Sequence, residues 1–170
     1  IDLRGNIGGA LDFAQAFLGI FIGQNQFAFD LFHQEEYQVQ RTTFPKFEPL
    51  ARYKEMVILT DQMTQSTAEV TSAMFKRMKL ATVVGTATRG WGTVENTFPL
   101  TTMIDEGEKY TLFLVHSLTL RDDNVPIEGR GVTPDIDIQN TSFKKELREV
   151  IRNSSLLQAV EEQIKSAPLR

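Results

Sequence analysis

The sequence predicts a mixed α/β layered domain, a sheet flanked by helices. Three observations carry that prediction: an uninterrupted apolar run at Met56–Thr60, an apolar-striped stretch after Ser66, and a second apolar run at Leu80–Val84 closed by Gly85. Short apolar runs either side of a helical stretch are the pattern of buried strands joined by a crossover helix, and further strands after them make the sheet mixed. The chain has 170 residues, enough for one sizeable core.

Ile1 to Leu3 reads as a short strand running into the glycine-rich turn Arg4–Gly9. A helix is expected from Ala10 to about Ile22, buried nearly all round because Leu11, Phe13, Ala14, Phe17, Leu18, Ile20 and Phe21 cover most of its circumference. Phe27–Phe32 and Tyr37–Thr43 read as weaker strands, and Pro45–Arg52 as a loop. Ser66 and Thr67 suit a helix start, with Glu69 in the first turn, a stripe of Val70, Ala73, Met74 and Met78, and Lys76, Arg77 and Lys79 in the last turn. After the loop Thr86–Gly92, strands are expected at Thr93–Leu100, Lys109–Leu120 and Ile136–Ile138. The end of the chain is helical: first a stripe of Phe143, Leu147, Val150 and Ile151, then a Ser155-x-x-Gln158 capping box opening a stripe of Leu156, Val160 and Ile164. The division expected is a main α/β portion over residues 1–140 and a helical extension over 141–170.

Composition removes several classes of function. With 18 Lys+Arg against 22 Asp+Glu, the net charge of −4 gives no footprint for nucleic acid. There is no cysteine, hence no disulfide, thiolate metal site or cysteine nucleophile, and two distant histidines make a zinc site improbable. No GK[ST] follows the glycines, so a phosphate-binding P-loop is absent, and no cofactor is expected. No stretch reaches the roughly 18 apolar residues of a membrane span. The opening Ile1-Asp2-Leu3 reads as the interior of a strand, so a longer natural protein is expected.

Three places could carry chemistry. Ser66 follows a buried strand and opens a helix, where unsatisfied amides and the helix dipole favour a nucleophile and its oxyanion; serine is equally an ordinary cap there. Gly8-Gly9 lets backbone amides approach a ligand, or simply makes a tight turn. The loop Gly85–Val94 holds the only tryptophan, Trp91, and can line a peptide cleft.

The order Asp2–Gly9, Ser66–Glu69, Val83–Val94 and Gly129–Asp135 resembles the tail-specific, or C-terminal processing, serine proteases. The resemblance covers about Ile1 to Ile138. It implies the spiral ββα core of the Clp protease and crotonase type, unfolded or tailed polypeptides as substrates, and a place in the cell envelope, the periplasm or another exported site. It also implies an upstream portion with a signal peptide and often a PDZ domain, through which alone any membrane contact would come. By the same resemblance Ser66 stands at the nucleophile position, and Gly8, Gly9 and Thr67 supply the oxyanion hole. The general-base lysine of the family falls on Trp91 and its supporting glutamine on Glu95. Indole cannot take a proton from serine, so the third role is vacant. Lys76 and Lys79 lie at the far end of the helix, His116 on an apolar strand reads as a core histidine, and His33 reads as solvated. Three readings follow. The first is a serine peptidase whose base lies upstream, with Glu128 as the acid of a tricorn-like arrangement. The second is a pseudoprotease that binds peptide tails, and the third a relative that binds a small hydrophobic ligand.

Overall fold

The computed structural model describes residues 1–101, 107–166 and 168. The chain enters at a sheet edge. Leu3 N–H donates to Leu59 C=O and Leu59 N–H to Ile1 C=O, so the expected first strand is reduced to one parallel bridge, Asp2 to Leu59. Asp2 turns its carboxylate onto the Arg4 guanidinium at 2.7 Å. Burial works against that carboxylate, but the hydrogen bonds and charge of Arg4 outweigh it and hold its pKa below the usual range.

Helix α1 (Leu11–Ile22) follows the glycine turn. Its burial is one-sided, against expectation: Ala14, Leu18 and Gly19 are buried while Phe13 is 61% exposed. Phe17 and Phe21 meet the later helix at Phe75, tilted and edge-on respectively, with ring centroids 5.5 and 5.1 Å apart. β1 (Phe27–His33) and β2 (Glu36–Arg41) form a hairpin whose two turn residues, Gln34 and Glu35, both have positive φ, the backbone of a tight hairpin turn. The loop expected at Pro45–Arg52 contains a helical turn, α2 (Glu48–Ala51), because Pro49 fits the start of a helix.

β3 (Val57–Thr60) is buried at every position. It feeds α3 (Thr67–Arg77), which is buried from Thr67 through Phe75 rather than along one stripe, since α1, β1 and β4 surround it. Lys79 lies beyond the helix end, with φ 53°. β4 (Thr82–Gly85) pairs in parallel with β3, and β7 (Ile136–Asp137) with β4, giving the order β3-β4-β7. β5 (Thr93–Pro99) and β6 (Thr111–Thr119) complete a second, antiparallel sheet of order β2-β1-β6-β5. One core, with Leu18, Phe29, Ile58, Met74, Phe75, Val83 and Ile127, lies between these elements.

α4 (Phe143–Val150) and α5 (Ser154–Lys165) cover the parallel sheet's other face. Leu147, Ile151 and Val160 join Val57, Leu59, Val84 and Ile136 in a second core, while Val150 stays exposed. The cap of α5 is Asn153, whose side chain accepts from Leu156 N–H at 3.0 Å. The helix starts at Ser154, so the expected capping serine, Ser155, already sits inside the first turn. Among the described residues no helix is long and apolar enough to cross a membrane.

Candidate active site

Ser66 caps α3 with φ 55° and ψ −129°, whereas an ordinary capping serine is extended with negative φ. Such a backbone costs on the order of 1–3 kcal/mol and persists only where the surroundings impose it. They do so through Glu69. Its carboxylate is fully buried and accepts four hydrogen bonds: Thr88 hydroxyl and Gly90 N–H on one oxygen, Ser66 N–H and Trp91 N–H on the other. A buried carboxylate held by this many donors is satisfied in place. It ties the serine turn to the loop before β5, and Thr88 Oγ1 extends the tie by accepting Val132 N–H at 2.7 Å.

The glycine turn is pressed against the serine. At Gly8, φ is +90°, and a Cβ would lie 2.7 Å from Ser66 Cβ and 2.8 Å from Thr67 N, so only glycine fits. Thr67 hydroxyl donates to Gly9 C=O at 2.6 Å and locks the two turns together. Gly8 N–H is occupied by Asn6 Oδ1. The N–H groups of Gly9 and Thr67 have no acceptor among the described residues.

These groups border a cleft of about 200 Å³ lined by Gly9, Ser66, Thr67, Trp91, Glu95 and neighbouring apolar residues. Trp91 is 46% exposed there. The pairing of β5 with β6 shifts register between Val94 and Glu95, and the extra residue, His116, lies on β6. Thr93 hydroxyl donates to Glu95 Oε1 at 2.6 Å, and Oε2 has no partner among the described residues. Glu128 does not line the cleft but adjoins its wall, accepting Gly92 N–H at 2.8 Å through Oε2.

The other basic side chains are elsewhere. Lys76 donates to Thr133 C=O beside Asp135 and Asp122, and Lys79 lines a different cavity with Lys54 and Glu55. His116 and His33, expected respectively in the core and in solvent, stack on each other with ring centroids 3.9 Å apart. His33 is therefore half-buried between strands; β1 and β6 pair next to both residues and bring the rings face to face. Among the described residues no group of three or more His, Asp or Glu is placed to hold a metal. Sequence reasoning missed the reach of Glu69, reading it as a first-turn residue. Thr88, Gly90 and Trp91 lie 19, 21 and 22 residues beyond Glu69, outside any local spacing that could have marked them.

The description "Peptidase family S41" matches residues 1–138. A carboxy-terminal-processing protease of Bartonella bacilliformis is 28% identical over 139 residues, 82% of this chain but 30% of that protein, so the chain spans about a third of that relative's length. Among solved structures, the photosystem II D1 C-terminal processing protease aligns over 81% of this chain and 33% of its own, with TM-score 0.65 and 18% identity. A lipoprotein from Streptococcus agalactiae aligns over 94% of this chain and 53% of its own, with TM-score 0.62 and 22% identity. Mature CPAF aligns over 98% and 45%, with TM-score 0.57 and 18% identity. These structures share the fold, a mixed α/β domain with sheets flanked by helices. With the family description covering four-fifths of its length, the chain belongs to peptidase family S41.

Proposed function

We propose that this chain carries the nucleophile half of a serine endopeptidase site that cuts polypeptides near their C-terminal tails. The observation that carries the reading is the backbone of Ser66: a strained, positive-φ serine at the mouth of a helix, imposed by a buried carboxylate. A plain helix cap needs no such strain. Strand-to-helix turns of this kind push a serine hydroxyl out toward a substrate.

In the proposed reaction Ser66 Oγ gives its proton to a base and attacks the carbonyl carbon of the scissile peptide. The carbonyl oxygen becomes an oxyanion held by Gly9 and Thr67 N–H, with Gly8 as the side-chain-free spacer that lets the two turns meet. The protonated base then delivers its proton to the leaving amine, and water hydrolyses the acyl-serine. No lysine lines the cleft among the described residues, so the base comes from beyond these 170 residues. A histidine is the group suited to that role. Glu128 is the carboxylate assigned to orient it in this reading, supported by one oxygen holding Gly92 N–H while the other has no partner among the described residues. Unfolded or tailed polypeptides are the substrates, and the cell envelope or another exported site is the setting.

A second reading, a pseudoprotease that binds tails without cutting, is favoured by one observation: the half-exposed Trp91, which the resemblance sets at the family's base position, lines the cleft with Ser66. The intact natural protein and its Ser66→Ala variant, each incubated with an unfolded protein bearing an apolar C-terminal tail, separate the two by mass spectrometry. Cleavage lost in the variant is the expected result. An uncut substrate that still binds both proteins would replace the peptidase reading with the second.

A further inference from the structure

We propose that Trp91 and Glu95 together form a subsite for a cationic side chain, so that the peptide seated at Ser66 presents a lysine or arginine to this cleft. The inference rests on the reading of the cleft as a peptide site and adds its substrate class. Three observations converge. The cleft that holds Ser66 is lined by one charged group, the Glu95 carboxylate, and by no lysine or arginine. That carboxylate is braced by Thr93 hydroxyl on one oxygen, with the other oxygen unpartnered among the described residues. The same cleft is lined by Trp91, which is half-exposed.

The chemistry selects the ligand. An apolar side chain entering the cleft would strip water from Glu95 Oε2 and return nothing, which is unfavourable for a carboxylate. A lysine or arginine lays its methylene stem along the indole and brings its charge to the carboxylate, gaining a cation–π contact and a charge-assisted hydrogen bond in one pose. The exchange relative to the family pattern is therefore concerted. By the resemblance, Trp91 and Glu95 stand where the family has a lysine and a glutamine, so a cleft with an anion and no cation of its own is complementary to an ammonium carried by the substrate.

The test separates binding from cutting. The intact natural protein carrying Ser66→Ala is titrated into fluorescein-labelled peptides in which one lysine is walked along an otherwise alanine sequence. Each lysine peptide has a twin with norleucine at that position, and anisotropy is the readout. At one register the lysine peptide is expected to bind about tenfold more tightly at low salt, with the ratio falling as salt is added. Glu95→Gln, which keeps the shape, should bring the ratio close to one. Trp91→Lys, which fills the site with the protein's own ammonium paired to Glu95, should do the same. Equal binding at every register, tighter norleucine binding, or no binding of either peptide would overturn the proposal. Cleavage is scored separately with Ser66 restored. Uncut peptides with the lysine preference intact would overturn the peptidase reading and leave this subsite standing.

Discussion

The two sheets of this molecule are built to opposite standards. The parallel sheet β3-β4-β7 is sealed on both faces, by α3 on one side and by α4 and α5 on the other. The antiparallel sheet is bare at its far end, where Leu112, Phe113, Leu114 and Val115 of β6 are all exposed, Phe113 at 69%. Successive residues of a strand point to opposite faces, so four exposed apolar residues in a row mean that neither face of this ribbon is covered by the described residues. Ser66 belongs to the sealed half. The cleft wall opposite it, Thr93 to Glu95, belongs to the half with less burial. In the proposed site, chemistry that needs fixed geometry is seated where packing is dense, and side chains that choose a ligand are seated on the less constrained sheet.

Substitutions can break that comparison. Phe75→Ala in the sealed half should lower stability by about 3–5 kcal/mol, read as a shift in the urea midpoint, because Phe75 is fully buried against Phe17 and Phe21. Glu69→Gln should lose about 1–3 kcal/mol and more than half of any activity, since an amide nitrogen replaces one acceptor oxygen and faces N–H donors. Hydrogen exchange should show faster opening at Ser66 and Trp91 in that variant.

The ion pair at the sheet edge gives a smaller effect with a defined sign. The Asp2 pKa is depressed in the folded protein, so its stabilisation is present above the unfolded value and is lost as pH falls through the folded one. Wild type and Asp2→Asn should therefore differ in thermal midpoint at neutral pH and converge as the pH drops below about 4. Smallest of all, Phe113→Ala on the bare ribbon should change stability by no more than about 0.5 kcal/mol. A large loss there would show that the ribbon is covered in solution.

Much of this was legible in the residues. The run Met56–Thr60 announced a strand buried on both faces, because alternation is absent where both sides are apolar. Ser66 and Gly8-Gly9 were marked by their places at strand-to-helix turns, and the structure does bring them within contact of each other. The exposed Phe13 was not legible. An apolar circumference reports what a helix is able to bury, while the number of neighbours decides how much it does bury. Nor was the stacking of His33 on His116, which depends on strand register across 83 residues of sequence. The reach of Glu69 was hidden for a related reason: three of its four donors are on the loop at Thr88–Trp91, far along the chain.

Glu69 grips position 91 by its main-chain N–H alone. The loop is therefore anchored whatever side chain that residue carries, and position 91 behaves as a socket whose occupant can be exchanged without refolding the walls around it. A lineage can drop one reactive group there and try another while keeping the strained serine intact. Descent with altered chemistry then requires single codon changes rather than a new scaffold.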